Sequence, residues 1–156
     1  VLAAKLTAGA PVAIIEGVPT AFNGQQRRAG FEDAMNAAGM NIVTTQAGNW
    51  ELAKANTVAS AMLTRYPDLA AILCANDSMA LGAVAAVSAA GRDEVMIVGF
   101  DNISAIQPML ADGRVLATAD QHAADLAVFG IETALSIIAG DAAPADRITV
   151  VDVITP

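Results

Sequence analysis

The sequence has a single cysteine, a single histidine and only eight lysines and arginines among its 156 residues. One cysteine excludes an internal disulfide, and one cysteine with one histidine excludes the common structural zinc sets, so we predict no metal site. The 16 acidic residues give a net charge of -8. This balance argues against a nucleic-acid partner, because phosphate binding needs clustered lysine and arginine. No apolar run approaches the roughly 18 to 20 residues of a membrane span, so we expect no membrane-embedded segment.

Catalytic and nucleotide-binding motifs are also missing. The turn after the first apolar run reads EGVPTAFNG and lacks the glycine-rich dinucleotide fingerprint. Neither a GxxxxGK[ST] phosphate loop nor a Gly-x-Ser-x-Gly elbow occurs, so His122 has no serine partner for a catalytic triad. Glu16 and Asp77 stand where a phospho-acceptor receiver domain has acidic residues, but its lysine is absent. The sequence therefore predicts a protein that is not an enzyme and holds no cofactor.

Apolar material, in contrast, is plentiful, since 55% of the residues are hydrophobic. Apolar runs without polar alternation are typical of strands buried on both faces, and here they alternate with helical segments at roughly 25-residue intervals. Crossovers of this length require a parallel sheet covered by helices. The sequence thus predicts an α/β fold, a doubly wound parallel sheet that forms one Rossmann-like lobe. Predicted strands are 11–17, 40–46, 69–75, 94–100 and 115–119; predicted helices are 24–38, 50–65, 78–90, 104–111 and 122–138, with a helix tail at 1–9 and a last β-branched run at 148–154.

A polar or aromatic side chain follows each predicted strand. Ligands of open parallel sheets bind just beyond the carboxyl ends of the strands, so these side chains should gather at one edge. Carboxylate, guanidinium and amide groups together suit the hydroxyls of a neutral polyhydroxylated ligand, and an indole face can lie on the C–H face of a sugar ring. The candidate binding residues are Arg27, Trp50, Asn76, Asp101 and Gln121.

Each candidate also has a purely structural interpretation. Asp101 fits a helix cap, Asn76 a turn residue and Gln121 a plain connector. Trp50 fits packing at a helix start, and Arg27 fits a solvated surface position. The sequence leaves both interpretations open.

Three further polar residues lie near the same predicted edge. Glu16 is a second-rank binding candidate that also fits a strand-end carboxylate held by backbone donors. Asn23 is another, and it also fits a helix cap. Asp77 is predicted to cap the helix that follows it.

Four motifs then occur in a recognisable order along much of the chain. Together they resemble the ribose-binding-protein type of periplasmic sugar-binding protein, the substrate-binding component of ABC transporters. The motifs are Arg27-x-x-Gly30-Phe31, Asn76-Asp77-x-Met79-Ala80-Leu81-Gly82, Val98-Gly99-Phe100-Asp101 and Ala117-Thr118-x-x-Gln121.

The resemblance implies a two-lobed clamp that closes on one sugar and delivers it to the permease of an ABC importer or to a chemoreceptor. It implies that Arg27, Asn76, Asp101 and Gln121 hydrogen-bond the sugar and that Trp50 stacks on it. It also implies a periplasmic protein, or a lipoprotein anchored outside the cell.

A complete family member has an amino-terminal lobe ahead of the position of Val1, so we expect a partner lobe that is missing here. Residues 1–121 are then the carboxyl-terminal sugar-binding lobe. Residues 122–147 are a helix and loop expected to pack on the missing amino-terminal lobe, and 148–156 are a returning hinge strand.

The main alternative is the effector-binding domain of a lac-repressor-like transcription regulator, which shares the fold and much of the NDxMAxG and VGFD pattern. Such proteins usually carry Val-Pro before the VGFD strand, where this chain has Arg92-Asp93-Glu94. A flavodoxin-like or Rossmann-like enzyme is the other alternative, and the missing phosphate cradle argues against it. The ligand stays open among ribose, allose, xylose, galactose, inositol and a linear polyol.

We predict that the isolated chain binds its sugar weakly, with a Kd that is roughly millimolar against about micromolar for a complete clamp. Half of the ligand contacts are missing, and every loss of about 1.4 kcal/mol weakens binding tenfold. Native mass spectrometry near 15.8 kDa identifies the solitary chain, and a sugar titration then measures its Kd. Micromolar binding by a verified solitary chain contradicts the prediction.

Overall fold

A computed structural model describes residues 1–142 and 145–156. Strands and helices alternate along the chain as the apolar runs predict. The strands are β1 Pro11–Glu16, β2 Asn41–Ala47, β3 Ala71–Cys74, β4 Met96–Phe100, β5 Ala117–Asp120 and β6 Asp152–Ile154; the helices are α1 Phe22–Ala37, α2 Leu52–Arg65, α3 Asp77–Ala90, α4 Gln107–Ala111 and α5 Ala123–Ile138, with 3₁₀ turns at Leu2–Lys5 and Ser104–Ile106.

The described strands form one sheet in the order β2-β1-β3-β4-β5-β6. Strands β1 to β5 are parallel, which confirms the predicted doubly wound sheet. The order reverses between β1 and β3, where sheets of this kind open a crevice for ligands. The sixth strand, β6, lies within the last β-branched run 148–154; it pairs antiparallel with β5 and sets Asp152 opposite Asp120.

Both faces of the sheet are buried under helices. Alternate side chains of a strand point to opposite faces, and in β1 Val12 and Ile14 join the core beneath α1, whereas Ala13 and Ile15 join the core beneath α2 and α3. All four side chains are fully buried. Burial on both faces explains why the run carries no polar alternation.

Cys74 lies inside β3 and is fully buried. Burial raises the pKa of its thiol far above the usual value, and the nearby charge of Asp77 raises it further. The thiol stays protonated at neutral pH and acts as a small hydrophobic side chain, which agrees with its position in an apolar run.

Two differences from the sequence-based expectation concern the start of α2 and the start of the chain. Helix α2 begins at Leu52 and not at residue 50, because Asn49 and Trp50 have left-handed φ angles of 54° and 68°. The start of the chain forms the short 3₁₀ turn Leu2–Lys5 where the sequence predicts a helix tail. The first difference places Trp50 in a loop at the carboxyl edge of the sheet.

Helix α5 is apolar but has no buried residue. Ile131, Leu135 and Ile138 are 63%, 61% and 81% exposed. In the other long helices the apolar side chains help to form the core, so α5 presents an unusually apolar exposed surface.

Helices α2 and α3 pack closely where α3 carries Gly82. A Cβ built on Gly82 would lie 2.3 Å from the Leu52 carbonyl oxygen and 2.9 Å from the Asn56 backbone nitrogen. The Asn56 side-chain amide also donates to the Gly82 carbonyl oxygen at 3.1 Å. The absence of a side chain at this position sets the distance between the two helices.

Gly82→Ala is therefore expected to destabilise the fold by about 1–3 kcal/mol, because the new methyl group meets backbone atoms that cannot move aside freely. Urea denaturation measures the change in the free energy of unfolding. The matched control is Gly30→Ala in α1, where a Cβ meets no atom within 4 Å; it should stabilise the protein by about 0.5–1 kcal/mol. Equal or increased stability of Gly82→Ala would rule out the close approach.

Candidate functional site

The five residues predicted to bind a ligand lie on five different segments that end at the same edge of the sheet. Arg27 comes from the second turn of α1, and Trp50 from the loop between β2 and α2. Asn76, Asp101 and Gln121 directly follow or nearly follow β3, β4 and β5. Since the strands are parallel, their carboxyl ends meet at one edge, and this edge contains the crevice between β1 and β3.

Arg27 links this cluster together. Its Nη1 donates to the Ala75 carbonyl oxygen at 2.8 Å, and its Nη2 lies 3.0 Å from Oδ1 of Asp101. The guanidinium also lies over two aromatic rings, 3.9 Å from the ring centroid of Phe100 and 5.6 Å from that of Trp50. Its side chain is only 12% exposed, so the charge is held in place by contacts on several sides.

Phe100 is a member of the cluster that the strand-end reasoning missed. It is the last residue of β4, directly before Asp101, and it covers one face of the Arg27 guanidinium. A large aromatic at the end of an otherwise aliphatic run was the available signal in the sequence.

Asp101 uses one carboxylate oxygen for the protein and leaves the other free among the described residues. Oδ1 faces Arg27 and also accepts a hydrogen bond from Nε2 of Gln121 at 2.8 Å. Oδ2 has no hydrogen-bond partner in the described chain. Partial burial raises the pKa of Asp101, and the Arg27 charge opposes that rise. The free Oδ2 is placed to accept hydrogen bonds from a hydroxylated molecule.

The Trp50 indole packs against the backbone of two glycines, Gly17 and Gly24. A Cβ on Gly17 would lie 2.1 Å from Cζ2 of the indole, and a Cβ on Gly24 would lie 3.1 Å from the same atom. The left-handed φ of 68° at Trp50 is uncommon for a bulky residue. The ring is held between the β1–α1 turn and Arg27, at the edge where the polar groups gather.

Asn76 is the N-cap of α3, and its Oδ1 accepts a hydrogen bond from the Met79 backbone N–H at 2.9 Å. The prediction that Asp77 caps this helix is wrong, because Asp77 is the first residue inside α3 and its carboxylate bonds elsewhere. The Asn76 Nδ2 has no protein acceptor within the described residues, so this donor is available at the edge.

Glu16 and Asn23 have local partners of their own. The Glu16 carboxylate lies 3.2 Å from Nη1 of Arg28, and the Asn23 Oδ1 accepts from the Gly24 backbone N–H at 3.0 Å. No hydrogen bond or ion pair joins either residue to the five-residue cluster in the part of the chain that the structure describes. Their binding role stays a prediction.

Within residues 1–142 and 145–156, no group of three His, Cys, Asp or Glu side chains is arranged to hold a metal ion. No helix in the same ranges combines the length and apolar character needed to cross a bilayer.

The fold and the cluster define the class of doubly wound α/β domains that bind ligands at the carboxyl ends of their strands. Comparison with known sequences matches residues 1–142 to the family described as "Periplasmic binding protein domain". The chain therefore belongs to the periplasmic binding protein family. This is a family of binding proteins and not of enzymes, which confirms the expectation drawn from the missing catalytic motifs.

Individual relatives agree with this family. A D-ribose/D-allose-binding protein from Pseudomonas aeruginosa is 66% identical over 140 residues, which are 89% of this chain and 44% of the relative. A solved ABC transporter solute-binding protein from Burkholderia multivorans is 59% identical, with a TM-score of 0.94, over 99% of this chain and 55% of that one. A periplasmic solute-binding protein from Actinobacillus succinogenes with bound D-allose is 34% identical, with a TM-score of 0.92, over 99% and 56%. The chain thus spans about half the length of these relatives.

Gly17→Ala is expected to displace the indole of Trp50, because the added methyl group would overlap the ring. The chain has one tryptophan, so intrinsic fluorescence reports on this ring alone, and we expect a red-shifted emission maximum with greater acrylamide quenching. Gly130→Ala in α5, where a Cβ meets no atom within 4 Å, is the matched control and should leave the spectrum unchanged. Unchanged emission from a folded Gly17→Ala protein would show that the ring does not lie against this turn.

Proposed function

We propose that this chain is the carboxyl-terminal lobe of a solute-binding protein for an ABC sugar importer. In this proposal Arg27, Asn76, Asp101 and Gln121 hydrogen-bond one monosaccharide, and Trp50 stacks on its ring. Glu16 and Asn23 are retained as peripheral candidates, since they lie beside the same edge.

The observation that carries this proposal is that protein groups bond to only one of the two carboxylate oxygens of Asp101. Arg27 and Gln121 both bind Oδ1, which fixes the carboxylate and leaves Oδ2 for ligand hydroxyls. Hydrogen bonds to a charged group contribute about 1.5–3 kcal/mol each. One such oxygen beside an aromatic ring is suited to a neutral sugar, which has hydroxyl donors and an apolar C–H face.

Ribose and allose are the first ligands to consider. The Pseudomonas relative is a D-ribose/D-allose-binding protein, and the Actinobacillus relative was solved with D-allose. The edge described above supplies donors and acceptors for several hydroxyls. A second lobe would supply the remaining contacts and much of the choice between a pentose and a hexose.

The exposed surface of α5 supports a second lobe as a partner. Its apolar side chains have no core of their own to enter, and the chain spans about half of its relatives. In this proposal residues 122–147 pack on an amino-terminal lobe, and 148–156 return through a hinge beside residues 1–121. A permease of the importer and a periplasmic or lipoprotein-anchored location complete the proposal. The Burkholderia and Actinobacillus relatives are ABC transporter solute-binding proteins, and they lend no support to a lac-repressor-like regulator.

The test is a titration of the chain with D-ribose and with D-allose, followed by ¹H–¹⁵N NMR, which detects millimolar binding. Saturable shifts are expected at the amides of the binding edge. Asp101→Asn should weaken binding at least about tenfold, because the substitution removes a charged acceptor. Asp112→Asn removes an exposed carboxylate that pairs with Arg114 at the far edge, and it should bind the sugar like the wild type.

Acidification supplies an internal control. The raised pKa of Asp101 means that its carboxylate is protonated at a higher pH than that of an ordinary aspartate. Affinity should therefore fall as the pH falls toward and through that raised pKa in the wild type, and it should be insensitive to pH over this range in Asp101→Asn. Equal binding by the wild type and Asp101→Asn would refute the proposed site.

A further inference from the structure

Asp77 is a fully buried carboxylate that the proposed sugar contacts do not use. It follows the ligand candidate Asn76 in sequence, but its side chain lies beneath the binding edge. The Thr118 hydroxyl donates to its Oδ1 at 2.7 Å, and the Ile103 backbone N–H donates to its Oδ2 at 3.0 Å. Burying a carboxylate costs free energy unless such donors satisfy it. We therefore looked for what this buried carboxylate does for the fold or for the site.

Gly99 makes room for this carboxylate. A Cβ on Gly99 would lie 2.0 Å from Oδ1 of Asp77, so the glycine before Phe100 is needed for space. The Asn-Asp motif and the Val-Gly-Phe-Asp motif, which are separate in sequence, thus meet through the Asp77 carboxylate. Thr118 adds the Ala-Thr-x-x-Gln motif to the same contact.

These hydrogen bonds fix the turn 101–103, which carries Asp101, one of the residues proposed to bind the sugar. Asp101 and Asn102 have left-handed φ angles of 108° and 54°, which side-chain-bearing residues adopt at a cost. The Asn102 backbone N–H donates to the Thr118 hydroxyl oxygen at 3.3 Å, and the next N–H, that of Ile103, donates to Asp77. The Asp101 N–H donates to the Ala119 carbonyl oxygen at 2.7 Å. Successive N–H groups of an unfavourable turn are thereby tied to fixed acceptors.

We propose that Asp77 is a positioning residue for sugar binding: through Thr118, and in the space left by Gly99, it holds the turn 101–103 in the conformation that presents Asp101 to the ligand. This inference rests on the proposed function for its ligand and goes beyond it by assigning a role to Asp77, Gly99 and Thr118, which are not among the proposed sugar contacts. The Thr118 hydroxyl connects Asp77 to the turn 101–103, since it donates to the Asp77 carboxylate and accepts from the Asn102 backbone N–H.

The hydroxyl can be removed with little change of shape, so the main test compares Thr118→Val with Thr118→Ser. Thr118→Val removes the hydroxyl that connects Asp77 to the turn, whereas Thr118→Ser keeps that hydroxyl. We expect D-ribose or D-allose affinity to fall at least about tenfold in Thr118→Val and to return to within about threefold of wild type in Thr118→Ser. Thr57→Val is the matched control, because the Thr57 hydroxyl is exposed and bonds only to Ala53 of its own helix among the described residues.

Amide hydrogen exchange tests the same inference without a ligand. The Asn102 and Ile103 amides should exchange at least about tenfold faster in Thr118→Val, whereas the Ala75 amide, which bonds to Ile15, should be unchanged. Asp77→Asn should show the same pattern, and the Thr118 pair decides the matter if that variant fails to fold.

The two proposals fail in different ways. If the wild type binds neither sugar while exchange at Asn102 and Ile103 responds as expected, the sugar assignment falls and the role of Asp77 in holding the turn stands. If exchange is unchanged in Thr118→Val, or if Thr118→Ser behaves like Thr118→Val, the positioning role is overturned whatever the sugar result.

Discussion

The ion pair between Arg27 and Asp101 is the contact on which the polar cluster at the carboxyl edge of the sheet depends. It joins helix α1 to the end of β4, and its two partners reach the other segments: Arg27 through Ala75 and the rings of Trp50 and Phe100, and Asp101 through Gln121. A partly buried carboxylate without a counter-charge would be costly at this place. The pair also fixes the carboxylate, so that its second oxygen is left free among the described residues.

Beneath this surface lies a layer of buried polar groups. The motif residues divide between the two layers: Asn76, Asp101 and Gln121 reach the edge, whereas Asp77 and Thr118 are buried below it. Neighbouring residues of one motif, such as Asn76 and Asp77, therefore differ in role: one lies at the edge and the other is buried in the layer below it. A flexible turn would present the same carboxylate in many orientations, and the ligand would have to select one of them at a cost in affinity.

The sheet and the membership of the edge could be predicted from the sequence because both follow from short-range regularities. Apolar runs at even spacing give parallel strands, and the residues after those strands must lie at one edge.

The details that could not be predicted depend on residues that are distant in sequence. Asp77 as a cap was a local inference, and the contact that overrides it comes from Thr118, far along the chain. Trp50 lies in a loop because Gly17 and Gly24 leave space for its ring, which no local propensity encodes. Within the predicted run 148–154 only Asp152–Ile154 forms a strand, because pairing with β5 decides how much of the run is extended into the sheet.

The pairing of β6 with β5 has a mechanical consequence. The chain leaves the sheet after Asp120, builds α5, and returns at Asp152, directly opposite its point of departure. The His122 Nε2 lies 2.9 Å from the Asp152 Oδ2 and connects the outgoing and incoming segments once more. A body attached through one strand of chain can swivel about single bonds, whereas one attached at two neighbouring points is restricted to bending about the line that joins them. If the proposed amino-terminal lobe packs on α5, it is joined to the sheet at two neighbouring points, and this attachment favours rotation about the line between them over free swivelling.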